Sequence, residues 1–381
     1  MNASLTGLSR RLALQSAAAT VFTTTGAAWA QPGRLPGRPI TVAQIVDASN
    51  EQQDVARDFL IGSRAAWQDI NSRGGLRGRP VQHSAIEVDG TPASLAAAVQ
   101  SIRDNPACVA ISGTVSDPVA LQLVGLLRKE GLNIAHVAPW LQSSIMEIDE
   151  RTFPIFAARQ EQIAHALKSL SATGVQEVGV VFASRREHDL YRNDAARSAA
   201  ELRLRLRSYP VGTDLAQLGQ RMDRATPAVL LFIGGTPELV QFTQGLDRQA
   251  RQRYVVALAD VNLQTVLQMG GAKSTPVIAT QAVPMVTASS VPIVRRYREV
   301  MARLFDEPPV ALSLAGFIAA QYTYQVLADI DGPVSRATAL AAFQKRSAVD
   351  LGGYRVSFDA KHRSATYVTQ SMLTADGRVV G

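Results

Sequence analysis

The stretch Phe59-Leu60-Ile61-Gly62-Ser63-Arg64-Ala65-Ala66-Trp67-Gln68-Asp69-Ile70-Asn71-Ser72-Arg73-Gly74-Gly75-Leu76-Arg77-Gly78-Arg79-Pro80-Val81 carries the reading of this chain. Val55, Phe59, Gly62, Ala66 and Ile70 recur at steps of three or four, which is one face of a helix. Gly74 stops that helix, because glycine takes the left-handed C-cap geometry without a steric penalty. Gly78-Arg79-Pro80 turns the chain into an apolar-polar run, and Ile40–Val46 just upstream reads as a strand. A strand–helix–strand unit of this kind implies parallel strands with a right-handed crossover.

The same alternation continues along the chain. Further strands are predicted at Val81–Val88, Cys108–Ser112, Asn133–Val137, Glu177–Phe182, Leu206–Val211, Ala228–Ile233, Tyr254–Ala259 and Pro276–Ala282. Helices are predicted between nearly all of them, at Glu51–Arg73, Thr91–Asn105, Pro118–Glu130, Gln160–Thr173, Tyr191–Arg205, Leu215–Ala225, Pro237–Arg251 and Asn262–Met269. This is an α/β pattern with parallel sheets, and so many strands imply two sheets. The C-terminal third differs, with helices predicted at Val291–Phe305, Ala311–Ile330 and Ser335–Arg346 and strands at Tyr354–Phe358 and Ala365–Leu373. The uninterrupted apolar run from Val310 ends at Gln321, too short for a bilayer, so the helix from Ala311 reads as buried core.

The 381 residues, 46% hydrophobic and 19% charged, suffice for two ordinary domains. The net charge is +7, but the arginines are scattered without interleaved aromatics, which excludes a nucleic-acid patch. Arg10-Arg11, the modestly apolar Leu12 to Thr25 and Ala28-Trp29-Ala30 make residues 1–30 an export signal cleaved after Ala30. Ser9-Arg10-Arg11-Leu12 partly fits a twin-arginine signal, while Ala13 and Gln15 depart from it, so both export routes stand open. Cys108, the sole cysteine, lies in an apolar run and reads as a buried strand residue.

No G-x-G-x-x-G follows the first strand, and neither a phosphate loop nor a Gly-x-Ser-x-Gly elbow is present. The five histidines show no metal-ligand spacing. Arg185-Arg186-Glu187-His188-Asp189 reads as a charged cluster on a loop, solvated by default, with contact to a ligand as the alternative. The sequence therefore implies no enzyme, no cofactor and no metal.

At this point the opening stretch acquires a second meaning. Gly62 followed by Asp69-Ile70-Asn71-Ser72-Arg73-Gly74-Gly75-Leu76-Arg77-Gly78 resembles the first-helix pattern of the type I periplasmic binding proteins, the branched-chain amino-acid-binding-like components of ABC importers. Ile111–Ser116, Ala138-Pro139, Leu231–Glu238 and Gly353–Asp359 are similar to later segments of that family in the same order. The resemblance implies two lobes, each a parallel sheet flanked by helices, joined by three hinge crossings near Thr152–Arg159, Val277–Met285 and Leu351–Val356. Lobe one is then 39–155 plus 285–350, and lobe two 156–284 plus 351–381. It further implies a periplasmic monomer that captures a small ligand, an amino acid or related carboxylate, and passes it to an inner-membrane permease. The alternative within the same fold is a periplasmic ligand sensor feeding a regulatory partner.

Ligands of open α/β sheets sit outside the carboxyl ends of the strands. Ser112, Thr114 and Ser116 are therefore candidate contacts, with a helix starting behind them. Either Ser116 or Asp117 merely capping that helix is an equal reading. Ala138, Trp140 and Gln142 form a second loop. There the resemblance departs from amino-acid binders, which carry small residues and a hydroxyl, and Trp140 either stacks on a flat ligand or fills space. By the resemblance, Tyr191 and Thr236 face the ligand from lobe two, and Asp260 takes its ammonium group. An N-cap role for Asp260 is an equal reading.

Overall fold

The computed structural model describes residues 39–143, 148–211, 214–248, 251–364, 367–374 and 377–381. The expected export signal lies outside the described residues. The first strand, β1 (Ile40–Asp47), is buried along its whole length and leads into helix α1 (Gln53–Ser72). There follow β2 (Val81–Val88), α2 (Pro92–Asp104), β3 (Cys108–Ser112), α3 (Asp117–Lys129), β4 (Ala135–Val137) and β5 (Thr152–Phe153). These five strands form one parallel sheet in the order β2-β1-β3-β4-β5, with Ile40 beside Val81 and Asp47 beside Val88.

The chain then leaves this sheet and builds another from α4 (Arg159–Ala172), β6 (Glu177–Phe182), α5 (Arg185–Glu201), β7 (Arg205–Ser208), α6 (Leu215–Gln220), β8 (Val229–Ile233), α7 (Thr236–Leu246), β9 (Tyr254–Ala257), α8 (Leu263–Gln268) and β10 (Val277–Gln281). It returns with α9 (Pro292–Leu304), α10 (Ala311–Ala328) and α11 (Arg336–Gln344), which pack on the first sheet's side. A short antiparallel pair follows, β11 (Val349–Asp350) and β12 (Arg355–Val356). The last strands, β13 (Thr369–Leu373) and β14 (Val379–Val380), close the second sheet in the order β14-β13-β10-β9-β8-β6-β7. β13 runs antiparallel to β10 and β14 antiparallel to β13, so the second sheet is parallel except at this edge. An antiparallel edge on a parallel sheet is a common arrangement, because the last strands arrive without a crossover helix.

Helix α1 anchors the first half. Val55, Phe59, Gly62, Ala66 and Ile70 are all buried, as their spacing predicts. A β-carbon placed on Gly62 would overlap the carbonyl of Ser313 and stand 2.9 Å from its Cα. One placed on Gly316 would lie 2.9 Å from Ser63 N. The backbones of α1 and α10 thus touch at paired glycines, and Ser63 Oγ donates to Phe59 O and Gly316 O across the seam, each at 3.2 Å. The end of α1 is a Schellman motif: Gly74 N–H donates to Asn71 O and Gly75 N–H to Ile70 O, with Gly74 at φ +101°. Asp69, buried in the same segment, accepts from Arg73 at 3.0 Å and from Arg296 at 2.7 Å, and Arg303 lies 3.3 Å away. Arg77 donates to Ala328 O, at the carbonyl end of α10, and to Gly332 O in the turn beyond it.

One sequence expectation is corrected here. Arg185–Asp189 is not a loop but the first turns of α5, which begins six residues before the predicted Tyr191. Ser184 is the N-cap, its hydroxyl accepting from Glu187 N. Ser184-Arg185-Arg186-Glu187 has the spacing of a capping box, the signal that charge alone concealed. Helix α10 is buried on nearly every face, and among the described residues no helix is long and apolar enough to cross a membrane.

Candidate functional site

The strands of both sheets end toward one another, and the loops that follow them meet. From the first sheet come the loops after β1, β3 and β4; from the second, those after β6, β8 and β9. Trp140, after β4, donates its Nε1–H to Asp260 Oδ1, after β9, at 2.7 Å. Arg159, the first residue of α4, donates Nε–H to Asp260 Oδ2 at 3.2 Å and adds a second, shorter bond from Nη2. Its Nη1 reaches Glu187 Oε1 at 2.9 Å, and its guanidinium lies 5.2 Å over the Tyr191 ring. Asn262 donates to Asp58 of α1 at 2.6 Å. A cavity of about 190 Å³ remains between the loops. Asn50, Gln52 and Asp54 line it on one side, and Ser184, Glu187 and Glu238 on the other. Arg159, Thr236 and Asp260 also border it.

Burial governs the charges. It alone would lower the Arg159 guanidinium, yet Asp260, Tyr191, Glu187 and Asp117 outweigh it and hold the group above its ordinary value. Burial pushes up the Asp117 carboxyl and the Tyr191 hydroxyl. Asp58 is raised to about 6, again by burial, with Asn262 and Arg57 opposing. Among the described residues, no group of three or more His, Cys, Asp or Glu is placed to hold a metal ion.

The nine residues picked from sequence fall into two sets. Thr236 and Asp260 border the cavity; Trp140 lies directly against Asp260, and Tyr191 beneath Arg159. Trp140 packs on Phe59 and Phe156, with ring centroids 5.9 and 5.3 Å away. The others turn to partners within the protein. Ser112 Oγ meets Thr323 Oγ1 at 2.7 Å, Thr114 Oγ1 meets His136 Nε2 at 3.0 Å, and Ser116 Oγ donates to Asp47 at 2.6 Å. Gln142 Oε1 accepts from Gln162 at 2.7 Å, and Ala138 is fully buried at φ +47°. Ser116 stands at the N-cap of α3 but makes no side-chain cap bond. Asp117 Oδ1 instead takes the backbone N–H groups of Gln142 and Ser143, at 2.7 and 2.9 Å. The cap of α8 is Asn262, whose side chain accepts from Gln264 N and Thr265 N, so Asp260 is not the N-cap.

The sequence profile of the family described as "Periplasmic binding protein" matches residues 39–377. The chain belongs to that family. A search of curated proteins returns no match. Among solved structures, an extracellular ligand-binding receptor from Verminephrobacter eiseniae is similar at a TM-score of 0.81 and 15% identity, over 90% of this chain and 100% of that one. A substrate-binding periplasmic protein from Ralstonia solanacearum gives 0.77 at 20% identity, over 90% and 99%. A branched-chain amino acid ABC transporter from Thermus thermophilus with bound valine gives 0.77 at 13% identity, over 90% and 95%. At such identities the likeness carries the fold of this periplasmic binding protein: two α/β sheets flanked by helices.

Sequence reasoning missed the charged centre of the site in this periplasmic binding protein. Arg159 sits where the chain passes from the first sheet to the second, and its partners lie 28 and 101 residues away. No local pattern announces such a group. Glu187 was legible through its capping-box spacing from Ser184, although its carboxylate reaches Arg159 and not Ser184 N, and Asp54 and Glu238 through their places in the first turns of α1 and α7.

Proposed function

We propose that this chain is the solute-binding component of an ABC import system. It acts as an exported monomer, its signal removed after Ala30. It captures a small polar ligand between lobe one (39–155 plus 285–350) and lobe two (156–284 plus 351–381) and delivers it to an inner-membrane permease. The observation that carries this reading is the meeting of strand-end loops from both sheets around one cavity. Open α/β sheets bind ligands at that end, and closure about a hinge buries what is bound. The polar bonds across the cleft, Trp140 to Asp260 and Asn262 to Asp58, are contacts that hinge opening breaks without unfolding either sheet.

The ligand class is an amino acid or a related small metabolite. Trp140, Thr236 and Asp260 are its proposed contacts from the sequence reading, joined by Arg159 and Glu187. Ser112, Thr114, Ser116, Ala138, Gln142 and Tyr191 form the frame that holds these contacts in place. The test is mass spectrometry of the mature protein purified without added ligand, under native and then denaturing conditions. A small molecule released at one per chain, and lost from an Asp260→Ala variant that still folds, is the expected result. No bound molecule, together with no thermal stabilisation by a broad metabolite library, would sink the reading.

A further inference from the structure

Helices α1, α3, α5 and α7 all begin at the strand ends that face the cleft. Left bare, such helix N-termini attract anions, because their first N–H groups lack partners and the helix dipole is positive there. In this chain each of the four brings a carboxylate of its own in the first turn: Asp54, Asp117, Glu187 and Glu238. Asp117 goes further and occupies the N–H groups of Gln142 and Ser143. A β-carbon on Gly235 would stand 3.0 Å from Glu238 Oε2, so that carboxylate folds back over the start of α7.

The remaining charges favour the same sign. Five carboxylates border the cavity against two guanidinium groups, although the chain as a whole carries +7. Of the two guanidinium groups, Arg159 is spent on Asp260 and Glu187, and Arg186 leans toward Asp117 at 3.9 Å. Asp260 already takes Trp140 as well as Arg159. Glu187 keeps one oxygen, Oε2, buried without a hydrogen-bond partner, and the buried Tyr191 hydroxyl likewise has none. An unpaired carboxylate oxygen in a low-dielectric wall calls for a donor.

We infer that the interlobe cleft selects a small cation, an amine or guanidine carrying net positive charge, and rejects plain carboxylates. This rests on the reading of the cleft as the ligand site. The ligand's cationic end lies among Glu187, Asp54 and Glu238; the helix N-termini no longer attract anions because their own carboxylates offset them, and the excess of carboxylates in the lining repels anions.

Two measurements test this separately from the binding reading. The first reads the sign of the potential without a ligand. Asn50 is exposed at the cavity rim, and Cys108 is buried, so an Asn50→Cys variant offers one reactive thiol. Its rate with a trimethylammonium-ethyl methanethiosulfonate, divided by its rate with the sulfonatoethyl reagent, is normalised to N-acetylcysteine. A ratio raised about tenfold at low salt, shrinking in concentrated sodium chloride and in Glu187→Gln and Glu238→Gln backgrounds, is expected. A ratio at or below that of N-acetylcysteine overturns the inference.

The second is thermal stabilisation by L-arginine, agmatine and spermidine against L-leucine, L-glutamate and malonate. Stabilisation by one of the first three, lost in Glu187→Gln, supports the inference. Stabilisation only by one of the last three overturns it and leaves the solute-binding reading standing. No response to any of the six overturns the inference, while the solute-binding reading is decided by the bound molecule and the broad library.

Discussion

Replacing Gly62 by alanine adds one methyl group where α1 meets α10. That methyl would overlap the Ser313 carbonyl and lie 2.9 Å from its Cα, against about 3.5–4.0 Å for carbon atoms at rest. The obstacle is backbone on both sides, so no rotamer change relieves it and the helices must part by at least about 1 Å. A gap of that size forfeits at least a quarter to a half of the dispersion energy along the seam and stretches the Ser63 bond to Gly316 O. We expect Gly62→Ala to cost about 3 kcal/mol, the upper end of overpacking penalties. For a chain this long, that lowers the thermal midpoint by about 4 °C if unfolding is one transition. The control is Gly125→Ala in α3, where a β-carbon meets nothing within 4 Å. The same chemical change should stabilise there by about 0.5–1 kcal/mol, through helix propensity alone. Urea denaturation followed by circular dichroism measures both. Equal effects at the two positions, or a loss below about 1 kcal/mol at Gly62, would refute the reasoning.

Three other outcomes are expected. Asp69→Asn leaves Arg73, Arg296 and Arg303 facing one another without their shared carboxylate. It should cost about 2 kcal/mol, less than a fully buried pair because the arginines are partly exposed, and salt should recover part of the loss. A denaturation midpoint indifferent to salt would contradict this. Trp140→Phe keeps an aromatic ring near Phe59 and Phe156 but removes the donor to Asp260, and should cost about 1.5–3 kcal/mol by the same assay. Asp58 has a folded pKa of about 6 against an ordinary 3.8, so its contribution is fully present below about pH 4 and is lost as pH rises through 6. Asp58→Asn should therefore gain on the native chain between pH 4.5 and 7.5, by about 2 kcal/mol, and a gap independent of pH would exclude the raised carboxyl.

The scaffold was readable because its signals are local. The spacing of Val55, Phe59, Gly62, Ala66 and Ile70 gives the buried face of α1 directly, and Gly74 gives its end. The first passage between sheets, after β5, falls where a run without helical period precedes Arg159. The antiparallel edge was not legible, since β13 and β14 carry no mark of strand direction. The site was readable only in part. Trp140 and Asp260 were singled out separately, but the bond between residues 120 apart follows from the meeting of two sheets and has no trace in either segment. Ser112, Thr114 and Ser116 lie on the loop that strand order indicates, yet their hydroxyls turn to Thr323, His136 and Asp47, partners that only the packed structure supplies. Glu187 shows the reverse case: a local capping signal was present, and the surrounding charges masked it.

The paired glycines of α1 and α10 also set an order of assembly. Ser63 and Gly316 are 253 residues apart, and the chain that makes almost the whole second sheet lies between them. The second half can therefore gather a nearly contiguous segment, residues 159–281, while the first half waits. Contacts of such long separation carry the largest loop-closure cost and form late. Helix α1, the first of the described helices, thus holds its apolar face uncovered until the C-terminal third is released. During synthesis that face is an aggregation liability, and any truncation before α10 makes the exposure permanent.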